Sequence, residues 1–402
     1  MMKRWSLLLI FCGLSTLAWA DEDLVKKGEY LARMGDCASC HTVNESKPFA
    51  GGNAIPTPFG VLYSTNLTPD ETGIGGWRFE DFYRALHLGK NRQGQPYYPA
   101  FPYTSFTKVT QDDAKAIFAY LQAQKPIKQP NKNPKMDFPF SERVLLNGWR
   151  WLYFSEQEFQ PDPKQSAQWN RGAYLVEGLG HCNECHSTRN ALGAVKRSGW
   201  LAGGHIPMQG WYAPSLSMKD GGGLAGWTRA EVKQLLKTGF SAKGSVIGPM
   251  ADVVRNSTQY MNDEDLEAVA LYLESLPAAP VEPVHEQPKA ADYAQGKAIY
   301  EDHCQDCHGQ QGDGVAGIYP SLVHNQTVVG LDGVNAMRSV LLGGFPPATQ
   351  GHPEPYSMPP FAKQLSNADI AAVVNYIRQS WGNNASAVQA EAVNQMRSKT
   401  LR

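Results

Sequence analysis

The sequence predicts an all-α chain built from three tandem, small helical units. A Cys/His pattern occurs three times, each occurrence has matching stretches before and after it, and each unit ends in a capped amphipathic helix. The length fits: 402 residues exceed one small domain and suit two or three of about 100 to 200 residues. Lys+Arg 37 against Asp+Glu 38 gives a net charge of -1, so no basic surplus exists for condensing on nucleic acid. With 42% hydrophobic and 19% charged residues, 27 Pro and 38 Gly, the chain reads as globular and loop-rich rather than disordered.

Residues 1–20 read as a signal peptide. Met1-Met2-Lys3-Arg4 is basic, Trp5 to Leu17 is apolar, and Ala18-Trp19-Ala20 puts small residues where a signal peptidase reads before Asp21. The run is shorter than the roughly 18 to 20 apolar residues a membrane span needs. Export to the periplasm is therefore expected, and Cys12 leaves with the peptide.

Six of the 7 cysteines then remain, as Cys37-Ala38-Ser39-Cys40-His41, Cys182-Asn183-Glu184-Cys185-His186 and Cys304-Gln305-Asp306-Cys307-His308. Exported cysteines ordinarily suggest disulfides, but CxxCH is the attachment signature of c-type haem. Two cysteines three apart share one side of a helical turn, where both sulfurs reach the vinyl groups of one porphyrin, and the adjacent histidine points at the iron. A CxxC redox pair needs no histidine behind it, and a zinc set needs further cysteines, of which none remain. Cys37, Cys40, Cys182, Cys185, Cys304 and Cys307 are thus the expected thioether anchors of three covalent haem c groups, with His41, His186 and His308 as proximal ligands.

The flanks repeat. Gly28-Glu29-Tyr30-Leu31-Ala32-Arg33, Gly172-Ala173-Tyr174-Leu175-Val176-Glu177 and Gly296-Lys297-Ala298-Ile299-Tyr300-Glu301 precede the motifs as helical stretches. Tyr63-Ser64-Thr65-Asn66-Leu67, Tyr212-Ala213-Pro214-Ser215-Leu216 and Tyr319-Pro320-Ser321-Leu322 follow as loops. Gly76-Trp77 and Gly226-Trp227 open helices in the first two units. Closing helices begin at Thr110, Asn262 and Ser366, each followed by acids that favour exposed N–H groups and the helix dipole. Apolar residues behind them recur at helical spacing, such as Ile117, Phe118 and Leu121, or Ile370, Val373, Val374 and Ile377. Pro-rich stretches at 126–139 and 277–288 mark boundaries. The predicted domains are 21–160, 161–284 and 285–382, with a tail at 383–402. Units of that size build little core from side chains alone, and a bound porphyrin supplies apolar volume.

A haem that only passes electrons wants both axial positions filled, and methionine opposite histidine raises its potential. Met358, in Tyr356-Ser357-Met358-Pro359-Pro360, and Met250, in Gly248-Pro249-Met250, lie in loops ahead of the closing helices and are the expected sixth ligands. A core role is the alternative for each. In unit one the matching loop is Tyr98-Pro99-Ala100-Phe101-Pro102, and Phe101 cannot bind iron. Met136 and His87 are the remaining candidates, Met34 being too near Cys37 to reach the other face. An open, high-spin iron is the alternative there.

Gly28 to Arg33, Cys37 to His41, Pro48-Phe49-Ala50-Gly51-Gly52, Thr57-Pro58-Phe59-Gly60, Tyr63 to Pro69 and Gly248 to Val254 together resemble the triheme cytochrome c subunits of bacterial periplasmic, membrane-bound dehydrogenases. The likeness covers essentially the whole mature chain. It implies three class I cytochrome c-like domains and a non-catalytic electron-transfer subunit. Its partner would be a dehydrogenase carrying flavin, pyrroloquinoline quinone or molybdopterin and oxidising an alcohol, gluconate or another sugar, or an aldehyde or N-heterocycle. Ubiquinone or a terminal oxidase would accept the electrons, with the subunit held peripherally at the inner membrane. Two departures stand out. Many members have Met where Phe101 stands, which tilts the reading toward an aldehyde or N-heterocycle oxidising relative. The tail offers only Val388, Ala392 and Met396 as an apolar line for membrane attachment.

The segment Val144 to Phe154, rich in aromatics, is expected to pack between domains, with partner docking or quinone access as the other reading. A rival for the whole chain is a peroxidase-like multihaem enzyme reacting at the Met-lacking first haem. Arg84, His87 and Arg92 lie near Phe101 in sequence, without a recognisable base-and-orienter set.

Overall fold

The computed structural model describes residues 11–279 and 287–400. The first ten residues of the expected signal peptide and the expected 284/285 boundary lie outside the described residues. Phe11 to Ala20 are helical, and the same helix runs on to Met34.

The elements run α1 (Phe11–Met34), α2 (Cys37–His41), β1 (Ala54–Thr57), β2 (Gly60–Tyr63), α3 (Phe79–Leu88), α4 (Tyr103–Phe106), α5 (Gln111–Gln122), β3 (Lys135–Met136) and α6 (Leu145–Tyr153). Then come α7 (Ala167–Tyr174), β4 (Gly204–Ile206), β5 (Trp211–Ala213), α8 (Arg229–Thr238), β6 (Phe240–Ser241), β7 (Gly244–Ser245), α9 (Pro249–Asn256) and α10 (Asp263–Ser275). The chain finishes with α11 (Ala290–His303), α12 (Gln305–His308), α13 (Gln326–Val329), α14 (Val334–Leu342), α15 (Asn367–Gln379) and α16 (Ala390–Thr400). Helix dominates, and the short strands depart from the all-α expectation. After the first two motifs the chain doubles back as antiparallel hairpins, β1 on β2 and β4 on β5. Thr57 and Gly60 make the first reversal possible: the Thr57 hydroxyl donates to the Gly60 carbonyl at 2.8 Å, and Gly60 sits at φ 127°, where a side chain would be strained.

The chain forms two compact units, Met1–Gln160 with Gly178–Gly180, and Pro161–Glu177 with His181–Arg402. In the first, α1 packs along α5. The second contains that pairing twice, α7 with α10 and α11 with α15. The expected caps are formed: Thr110, Asn262 and Ser366 accept the backbone N–H of Asp113, Asp265 and Asp369. The residues behind them turn inward, with Ile117, Leu121, Leu266, Leu273, Ile370 and Val374 buried.

Within its own unit α6 is partly exposed: none of its residues is fully buried and Trp151 is 84% exposed, while Arg150 lies over the rings of Tyr103 and Phe154, at 5.1 and 4.4 Å from their centroids. The tail differs from expectation. Val388 and Val393 are buried in the core around Tyr300, Leu341 and Ile370, with Ala392 and Met396 packed against it, so the apolar line faces protein. Asn375 pairs with both backbone groups of Val388, at 2.9 and 2.7 Å, and the fully buried Arg378 donates to the Ser386 carbonyl at 2.9 Å. Burial lowers the Arg378 pKa to about 10.

Candidate haem-binding sites

Each CxxCH motif closes a short helical turn directly after the helix that precedes it. Cys37–His41 is α2, Cys182–Glu184 is a 3-10 turn, and Gln305–His308 is α12. Asp36 and His181, just before the first two, are left-handed (φ 49° and 38°), which breaks the preceding helix and lets the motif start a new one. No disulfide joins any of the six cysteines. Burial pushes the Cys37, Cys182 and Cys304 thiols each up to about 12. Among the described residues no three or more His, Cys, Asp or Glu side chains gather as a metal cluster.

The histidines share one arrangement. His41 Nδ1 lies 2.6 Å from the Thr65 carbonyl, His186 Nδ1 lies 2.7 Å from that of Pro214, and His308 Nδ1 lies 3.2 Å from that of Pro320. A carbonyl only accepts, so each Nδ1 carries the proton and each Nε2 keeps a lone pair. Burial lowers all three histidine pKa values, against a smaller raising effect of these bonds, and holds the rings neutral. This is the state a haem iron requires of its histidine, with the carbonyl fixing ring orientation. A backbone latch repeats as well: Gly51, Gly203 and Gly314 donate N–H to the carbonyls of His41, His186 and His308 at 2.7, 2.9 and 2.9 Å. All three glycines have positive φ, and a Cβ on Gly51 would stand 2.3 Å from the Thr65 oxygen. Each glycine thus lets the loop bearing the acceptor carbonyl close on the histidine. The residues fit a covalent haem at every motif.

The acceptors are what the sequence reading missed. Thr65, Pro214 and Pro320 fall in the aligned loops, two, two and one residues after Tyr63, Tyr212 and Tyr319, and that recurrence was their only signal.

The expected sixth ligands lie in differently built turns. Met250 is in the first turn of α9, after Gly248 at φ 58° and Pro249, packed on Val246, Ala251 and Val254. Met358 exchanges two backbone hydrogen bonds with Gly344, at 2.8 and 3.1 Å, and shares a core with Cys304 and Leu322. Phe101 instead belongs to an aromatic group with Tyr97 and Phe106, centroids 5.7 Å away in both cases. The two other first-unit candidates lie elsewhere: Met136 is in β3 paired with Gly60, and His87 is buried on α3, stacked on Tyr83. His87 Nε2 faces Glu156 Oε1 at 3.6 Å, and its Nδ1 has no hydrogen-bond partner among the described residues. Met34 is buried on α1.

Helical pairs around a CxxCH turn, with a carbonyl-braced histidine, define a c-type cytochrome. The family model for cytochrome c matches residues 25–125 and 293–381. The chain is 39% identical to the cytochrome c subunit of a quinone alcohol dehydrogenase from Gluconobacter oxydans, over 94% of this chain and 83% of the relative. It is 38% identical to the gluconate 2-dehydrogenase cytochrome c subunit of Pantoea cypripedii, over 96% and 93%. It is 42% identical to one of the subunits of nicotinate dehydrogenase from Pseudomonas putida, over 92% of this chain but 31% of that one. The chain belongs to the family of cytochrome c subunits of dehydrogenases, and the family implies covalently bound haem c.

Proposed function

We propose that the chain is a periplasmic electron-transfer subunit with three haem c groups, associated peripherally with the inner membrane. It takes electrons from a catalytic dehydrogenase subunit and passes them to ubiquinone or a terminal oxidase. The observation that carries this is the threefold repetition of a neutral, carbonyl-braced histidine directly behind a CxxC pair. Cys37, Cys40, Cys182, Cys185, Cys304 and Cys307 hold the porphyrins, one each for domains 21–160, 161–284 and 285–382. His41, His186 and His308 present Nε2 to the iron, and Met250 and Met358 are the sixth ligands of the second and third sites.

Bound haem c supplies a one-electron iron couple. The protein's own part is to hold geometry constant while charge changes: the carbonyl fixes each imidazole and the glycine latch fixes the carbonyl. The cysteines would hold each porphyrin covalently at the turn that bears the histidine, and α9 and the Gly344–Met358 pair would supply the methionine sulfurs of the second and third sites. The relatives named for alcohol, gluconate and nicotinate dehydrogenases support a dehydrogenase partner of one of those substrate classes, and the basic and apolar start of the chain supports export.

The test is mass spectrometry of the mature protein, followed by reduction with its co-expressed dehydrogenase. The expected mass is that of residues 21–402 plus three haems, and C37A/C40A, C182A/C185A and C304A/C307A each remove one. Substrate added to the complex should bleach the oxidised haem spectrum. A mass equal to bare polypeptide, or haems that substrate leaves oxidised, rejects the reading.

A further inference from the structure

We infer that Asn335 and Arg338, both on α14 of the third repeat, are positioning residues for the second haem site. The inference rests on the three-haem reading above. Tyr212 lies in β5, whose one edge is taken by β4. Asn335 takes up Tyr212 from outside that hairpin: its Oδ1 accepts the Tyr212 N–H at 3.0 Å and its Nδ2 donates to the Tyr212 carbonyl at 2.8 Å. One side chain thus replaces a neighbouring strand. Two residues on is Pro214, whose carbonyl braces His186. Asn335 therefore fixes, through two peptide units, the acceptor that sets the electron richness of the second proximal histidine.

Arg338 acts on the other side. Its guanidinium stands 4.7 Å from the centroid of Trp211, and that ring lies against Gly248, where a Cβ would come within 2.6 Å of it. Gly248 begins the turn that carries Met250. Trp211 is thus held between the cation and the methionine turn. Arg338 Nε is buried with no hydrogen-bond partner among the described residues, so a poorly solvated positive charge sits beside the second site's scaffold. Such a charge favours the reduced, less positive iron. The same helix leads through Gly343 to Gly344, the partner of Met358, so α14 touches the scaffolds of both the second and third sites.

The two residues should move the second potential in opposite directions. Arg338→Gln removes the charge and lowers it, changing the reduced-to-oxidised ratio at fixed applied potential about tenfold, about 59 mV for a one-electron couple. Arg338→Lys keeps the charge and restores most of it. Asn335→Ala frees the Pro214 carbonyl, weakens its hold on His186 and raises the potential. Spectroelectrochemical titration of the full chain reads this, the second component being the one lost in C182A/C185A. A second component unmoved by R338Q, or all three components shifted alike, overturns the inference. If N335A does not accumulate, the R338Q and R338K pair decides alone. A C182A/C185A protein that loses no component would instead overturn the three-haem reading, independently of any α14 variant.

Discussion

Gly28 lies so close to Ala116 that a Cβ on the glycine would stand 1.9 Å from the Ala116 carbonyl oxygen. The same contact recurs between Gly172 and Ala268 at 1.9 Å and between Gly296 and Ala372 at 2.1 Å. The residue four further along is a tyrosine each time, Tyr120, Tyr272 and Tyr376, whose own Cβ is the third near atom. Three helix pairs, α1 with α5, α7 with α10 and α11 with α15, therefore cross at one backbone-to-backbone point. Only a residue without a side chain allows that approach.

Adding a methyl there must push the helices apart. Gly172→Ala is expected to cost at least the roughly 1 to 3 kcal/mol typical of overpacking, and a bulkier residue more. It should lower the thermal midpoint of its own unit and the yield of haem-loaded protein. An unchanged melting profile for G28A, G172A and G296A would show that the helices slide apart without loss.

The three motifs and the three caps were legible because their signals are local: a few consecutive residues name the chemistry or the helix start. What decides the sites is less local. The acceptors of Thr65, Pro214 and Pro320 are backbone carbonyls, which leave no letter in the sequence beyond a recurring loop. Strands of two to four residues carry too little alternation to be read, hence the all-α expectation. The inward turn of the tail depends on Asn375 and Arg378 on another helix, so Val388, Ala392 and Met396 looked like a free apolar line. The exposed face of α6 was unreadable for the opposite reason: an apolar helical pattern does not say whether anything covers it.

The third closing helix gives a pH-dependent prediction. The Ser366 hydroxyl donates to the Asp369 carboxylate at 2.7 Å, and the Ser366 N–H adds a second bond at 3.0 Å. These bonds, the hydroxyl first, hold the Asp369 pKa below its ordinary value of 3.8. Because the folded value is the lower one, the stabilisation is complete above the unfolded pKa and is lost as pH falls through the folded pKa. Ser366→Ala should cost about 1 kcal/mol near neutral pH. The difference in melting temperature between wild type and Asp369→Asn should shrink on acidification below pH about 4. A difference independent of pH would mean that the carboxylate charge plays no part in the cap.

Methionine replacement tests the second and third sites separately. Met358 is held by its own backbone to Gly344, so Met358→Ala leaves the turn in place while removing the sulfur and some packing against the core around Leu341. Met250 packs on Ala251 and Val254, so Met250→Ala also opens a small gap in that cluster. Each variant should turn one haem high-spin by electron paramagnetic resonance and lower one potential, because a methionine ligand raises it. An unchanged spectrum for either variant removes that methionine from the ligand set. Loss of the same signal in both would mean that the two serve one site.

Phe101 is the decisive residue of the first site. Its ring contacts Tyr97 and Phe106 in the loop that corresponds to the methionine turns of the other units, so a sulfur placed there would point into the same aromatic group. Phe101→Met exchanges one apolar side chain for another of similar volume and should cost less than about 1.5 kcal/mol. If position 101 faces the first iron, the variant gains a methionine-to-iron charge-transfer band and the first potential rises. The component concerned is the one lost in C37A/C40A. No new band and no shift would place Phe101 away from the iron. Cyanide binding and peroxide turnover in the wild type, both abolished by F101M, would instead make the first site the reactive centre of a peroxidase-like enzyme.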